Sequence, residues 1–114
     1  MTLADAKAAL FADAFALQSG GRPEEAVAIY QELAKAGLTV NLARNLGLAL
    51  YDLGRYAEAE HWMSLAARNR AGDPEIRNLL GVVHAARGED NLAELEFRTA
   101  LAVRPDFATA RLAL

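Results

Sequence analysis

The sequence predicts an all-α solenoid of three helix-turn-helix repeats followed by a short C-terminal helix. Three observations carry that reading. Ala26, Ala59 and Ala93 recur at intervals of 33 and 34 residues, with Gly21, Gly54 and Gly88 at the same intervals before them and the bulky Tyr30, Met63 and Phe97 after. Within each segment the apolar residues follow a helical period, as in Leu46, Leu50 and Leu53 or Leu79, Val83 and Ala86, and no stretch alternates with the period of a strand. Proline and glycine gather at the joints and avoid helix interiors, apart from Gly47 and Gly81.

The joints fix each element in turn. Gly20-Gly21-Arg22-Pro23 closes the first helix. Pro23 then opens the second, its fixed φ suited to the first turn, with Glu24 and Glu25 near the positive end of the helix dipole. Gly37 ends the second helix and Thr39 caps the third. Gly54 parts the third from the fourth. Ala71-Gly72-Asp73-Pro74 stops the fourth and starts the fifth, with Asp73 as cap, and Gly88 separates the fifth from the sixth. Pro105 ends the sixth, leaving a trailing helix over 106–114. The expected repeats are about 7–39, 40–73 and 74–107, all within one domain.

Gly47 and Gly81 each cost about 1 kcal/mol relative to alanine in a helix interior. They lie 34 residues apart, so the cause must recur with the repeat. Close approach of the two helices of a hairpin is that cause, and Ala14 takes the matching place in the first repeat.

Composition narrows the function class. Apolar residues make up 54% and charged residues 24% of 114 positions, a globular balance that argues against disorder. The 26 alanines favour helix. A net charge of −3 with mixed signs gives no basic stripe for nucleic acid. The absence of cysteine excludes disulfides and thiolate metal sites. The N-terminus lacks the order of a signal peptide, and no apolar run reaches membrane-span length. A cytoplasmic protein without cofactor or membrane span is the expectation.

Leu80-Gly81, Gly88, Ala93, Phe97, Ala100 and Pro105 resemble the tetratricopeptide repeat. The second copy reads Leu46-Gly47, Leu50, Gly54, Tyr56, Ala59, Met63 and Ala66. The first reads Ala14, Leu17, Gly21, Ala26, Tyr30 and Leu33, with Asp13 where the leucine would stand. No copy has the opening tryptophan. The resemblance covers roughly residues 7 to 107 and implies a right-handed superhelix whose first helices line a concave groove for a peptide or a partner helix.

Carried over position by position, that groove would be lined by Phe11, Phe15, Asn41, Arg44, Asn45, Leu48, Tyr51, Asn78 and Val82, together with Glu75 and Leu79. Phe11, Phe15, Leu48, Tyr51 and Val82 form its apolar floor, and Arg44, Asn45 and Asn78 its polar handles. Phe11 and Phe15 have a second reading as ordinary core. Relatives that grip chaperone C-termini use a basic clamp. Asn45 matches one clamp asparagine, but Phe11, Phe15, Glu75 and Leu79 stand at the other clamp positions, and Glu75 would repel a carboxylate. The implied partner is therefore an amphipathic helix or apolar peptide.

No set of residues points to catalysis or to a metal. His61 and His84 fall on different helices, and His84 stands where Leu17 and Leu50 mark the core, so it reads as a buried histidine with one hydrogen bond. Glu24-Glu25, Glu58-Glu60 and Glu94-Glu96 could pair as acid and base, but their places near helix starts read as helix-supporting charge. Trp62 reads as core edge. The apolar tail with Leu112 and Leu114 admits two alternatives to a free module: self-assembly through that edge, or continuation into a longer chain in which the array is the accessory region of an enzyme such as a transferase.

Overall fold

The computed structural model describes residues 1–106. The expected trailing helix with its Leu112 and Leu114 edge lies outside the described residues. Among the described residues six helices follow one another: α1 (Leu3–Ser19), α2 (Pro23–Ala36), α3 (Val40–Asp52), α4 (Tyr56–Asn69), α5 (Pro74–Ala86) and α6 (Asp90–Val103). The helix order read from the breakers is the order observed. None of the described helices is long and apolar enough to cross a membrane.

Local chemistry sets the ends. Thr39 Oγ1 accepts from the Leu42 amide at 3.1 Å and Asp73 Oδ1 from the Glu75 amide at 2.9 Å, the two caps expected from sequence. Thr2 and Asp5 add a reciprocal capping box at the start of α1, with bonds of 3.0 and 3.1 Å. The three hairpin turns share one device. Gly21, Gly54 and Gly88 have φ of 81°, 76° and 76°, left-handed backbone that glycine adopts without penalty. The residue after each glycine donates its amide back to the helix it has left: Arg22 to Leu17 O, Arg55 to Leu50 O and Glu89 to His84 O, at 2.8 to 2.9 Å. With the glycine amides on Gln18, Tyr51 and Ala85 carbonyls, this satisfies the orphan groups of each helix end as a Schellman motif.

Packing then follows from size. Within each hairpin the two helices pack most extensively, and α2 on α3 and α4 on α5 join the repeats. A Cβ on Gly47 would lie 2.9 Å from Met63 Cγ, and one on Gly81 would lie 2.6 Å from Phe97 Cε1. The recurrent glycines therefore receive the recurrent bulky residue of the partner helix, as their spacing required. Tyr30 plays that part in the first hairpin, fully buried with Ala14 in one core cluster; its Oη donates to Gln18 at 2.9 Å. Two further clusters continue the core, one around Met63, Ala66, Ile76 and Leu80 and one around Ala93, Phe97 and Ala100. The result is an elongated stack, 46 × 25 × 22 Å.

Candidate functional site

Curvature of the stack decides which face is concave. The odd helices touch one another, α1 on α3 and α3 on α5, while among the described residues no comparable contact joins α2 to α4 or α4 to α6. The odd helices are thus the inner wall. On α3 the inward side Leu42, Ala43, Leu46, Gly47, Ala49 and Leu50 is buried, which leaves Asn41, Arg44, Leu48, Tyr51 and Asp52 accessible in whole or part. On α5 the accessible set includes Glu75, Leu79, Val82 and Ala85, and on α1 it includes Phe11, Phe15 and Ser19.

The predicted groove residues are placed as follows. Phe15 is 53% exposed, and at the equivalent positions of the next two repeats Leu48 and Val82 are half-buried. These three make an apolar line across the wall, tied to the core at Leu48 and Val82 by their packing on the second and third clusters. Phe11 turns its ring edge to Tyr30, centroids 5.7 Å apart, so its core reading and its groove reading share one ring. Tyr51 lies half-buried at 5.5 Å from the Tyr56 ring. Asn41 is exposed. Arg44 reaches across to the next repeat and meets Glu75 at 3.3 Å. Asn45 and Asn78 are only 5% and 6% exposed, and Asn78 Oδ1 is buried without a hydrogen bond to protein.

Four second-helix carboxylates pair with arginines. Glu25 pairs with Arg22, Glu58 with Arg55 at 2.7 Å, Glu94 with Arg98 at 2.8 Å and Glu96 with Arg77 at 3.2 Å. His84 is buried, and its Nδ1 lies 3.3 Å from Glu89 Oε1. Glu60, His84 and Glu89 bring potential metal-ligand atoms within 4.8 Å of one another. The Arg87 guanidinium already stands between the two carboxylates, pairing with Glu60 and, at 3.4 Å, with Glu89. A resident cation of this kind makes the cluster an inter-repeat ion network. Trp62 is half-buried against two core clusters, edge-on to His61 at 5.3 Å.

Sequence reading missed two features. Leu92, Leu95 and Val103 are exposed along α6, where the repeat places Glu58, His61 and Asn69 on α4; the comparison of equivalent positions was the available signal. The Arg44–Glu75 and Arg87–Glu60 pairs left no signal, because partners 31 and 27 positions apart meet only through the repeat stacking.

A family model described as the tetratricopeptide repeat matches residues 39–70. No curated protein matches the chain in sequence. Solved structures match its fold closely. The Arabidopsis OM64 tetratricopeptide domain superposes with a TM-score of 0.89 at 23% identity, over 96% of this chain and 91% of that one. The second such domain of human RPAP3, in complex with the HSP70 peptide SGPTIEEVD, gives 0.87 at 23% identity over 96% and 93%. PcrH in complex with the chaperone-binding region of PopB gives 0.86 at 24% identity over 99% and 94%, and PcrH comes from Pseudomonas aeruginosa.

Proposed function

We propose that this chain, which carries the tetratricopeptide repeat and continues its fold on either side, is a non-catalytic protein-interaction module. Its odd-helix wall takes an apolar peptide or an amphipathic helix. The observation that carries the reading is the accessible line Phe15–Leu48–Val82 with Tyr51 beside it. Equivalent positions of successive repeats are apolar on the side that faces away from the core, which is the pattern of helix or peptide recognition. Two structures of similar fold hold a segment of another protein, RPAP3 the HSP70 peptide SGPTIEEVD and PcrH the chaperone-binding region of PopB.

The polar groups refine the reading. Arg44 pairs with Glu75 at 3.3 Å, so among the described residues the guanidinium at the centre of the wall already has a carboxylate partner. With Phe11, Phe15 and Leu79 at the other clamp positions, a side-on segment fits better than a chain end.

The test is binding of a peptide selected from a naive library of capped random peptides. Phe15→Glu places a charge on the apolar line and Tyr51→Ala removes an aromatic anchor. Each is expected to weaken the selected peptide by about tenfold or more, the scale of an aromatic hot spot. Unchanged affinity in both variants, with helicity retained, contradicts the reading.

A further inference from the structure

Asp52 is the last residue of α3. Asp52 lies four residues beyond Leu48, one helical turn along the same face. Its counterparts in the other repeats are Ser19 and Ala86, so this carboxylate belongs to the central repeat alone.

The arginines of the hairpin turns, and Arg44 on α3, have carboxylate partners of their own. Arg22 pairs with Glu25, Arg44 with Glu75, Arg55 with Glu58 through bonds of 2.9 and 2.7 Å, and Arg87 with Glu60 and Glu89. The Asp52 side chain makes no hydrogen bond or ion pair with the described residues, and partial desolvation raises its carboxyl above the ordinary value of 3.8. Tyr51, three positions beyond Leu48, keeps a partly accessible ring, tilted 47° against Tyr56. A carboxylate unmatched among the described residues, one turn beyond an apolar line and following an aromatic residue, is the chemistry that receives a cationic side chain.

We infer that Asp52 and Tyr51 form a cation-recognition subsite at the C-terminal end of α3, selecting partner segments that carry a lysine or arginine among apolar residues. The inference rests on the groove reading above and deepens it. Phe15, Leu48 and Val82 take the apolar side chains, and the basic side chain reaches past Leu48 to the Asp52 carboxylate with its stem along the Tyr51 ring. An acidic segment meets repulsion at the same point.

The experiment selects capped random peptides of about twelve residues against the wild type, then compares the best lysine-bearing peptide with its norleucine analogue. The expected result is about fivefold tighter binding of the lysine form to the wild type, the scale of a partly exposed ion pair, and equal binding of the two forms to Asp52→Asn. Asp52 is exposed at a helix end, and thermal unfolding confirms that the variant stays folded. Selected peptides without basic residues, or a lysine preference that survives in Asp52→Asn, overturn the subsite and leave the groove standing. Failure to select any peptide that Phe15→Glu weakens overturns the groove reading itself, and the subsite with it.

Discussion

At the residue scale the two mid-helix glycines face different neighbours, and the difference has a measurable consequence. Both would gain about 1 kcal/mol of helix propensity on replacement by alanine. At Gly47 the added Cβ meets Met63 Cγ at 2.9 Å, part of an unbranched side chain that can change rotamer. At Gly81 it meets Phe97 Cε1 and Cδ1 at 2.6 and 2.8 Å, a rigid ring that is 5% exposed and must move as a unit. Overpacking of that kind costs about 1–3 kcal/mol. With the ring enclosed and unable to yield, the cost falls at the upper end of that range, and Gly81→Ala is expected to lower the unfolding free energy by up to about 2 kcal/mol after the propensity gain. Gly47→Ala is expected to stay within about 1 kcal/mol of wild type, propensity offsetting the repacking. Chemical denaturation of the two variants checks the order. Equal losses would show that the ring and the thioether yield alike.

At the scale of the element, α1 differs from the rest. Only Ala14 of its 17 residues is fully buried, because it has a partner hairpin on one side alone. Leu3 and Leu10 are exposed, and Asp13 stands where α3 and α5 place the buried Leu46 and Leu80. Its N-terminal turn depends on the Thr2–Asp5 capping box. Hydrogen bonds from Thr2, first backbone and then side chain, hold the Asp5 carboxyl below its ordinary 3.8. A depressed folded value means that the stabilisation is fully present above 3.8 and is lost as pH falls through the lower folded value. The first turn of α1 is thus expected to lose amide protection selectively in that acidic window, while α3 and α4 keep theirs. Asp5→Asn should abolish the dependence. Hydrogen exchange corrected for intrinsic rates reads both outcomes.

At the scale of the whole molecule, some features are written locally and others are not. Gly21, Gly54 and Gly88 announce the hairpin turns because left-handed backbone demands glycine. Asp73-Pro74 and Thr39 announce helix starts through capping. Gly47 and Gly81 announce the helix contact through their repetition. The character of the wall is less local. Asn45 and Asn78 share a helix face with accessible residues, yet both are buried, because the repeat-to-repeat twist sets how far α3 and α5 cover one another. The Arg44–Glu75 bridge likewise depends on that twist and on two long side chains choosing one geometry. Periodicity fixes which face a residue occupies; the superhelix decides whether it meets solvent.

The central claim is that partners dock on the wall made by α1, α3 and α5. Amide chemical-shift mapping during titration with a library-selected peptide tests it most directly. The expected perturbations cluster at Phe15, Arg44, Leu48, Tyr51, Asp52 and Val82, with little change along the outer sides of α2 and α4. Perturbations confined to α2, α4 or α6, the exposed Leu92 and Leu95 among them, with the odd helices silent, would contradict the account.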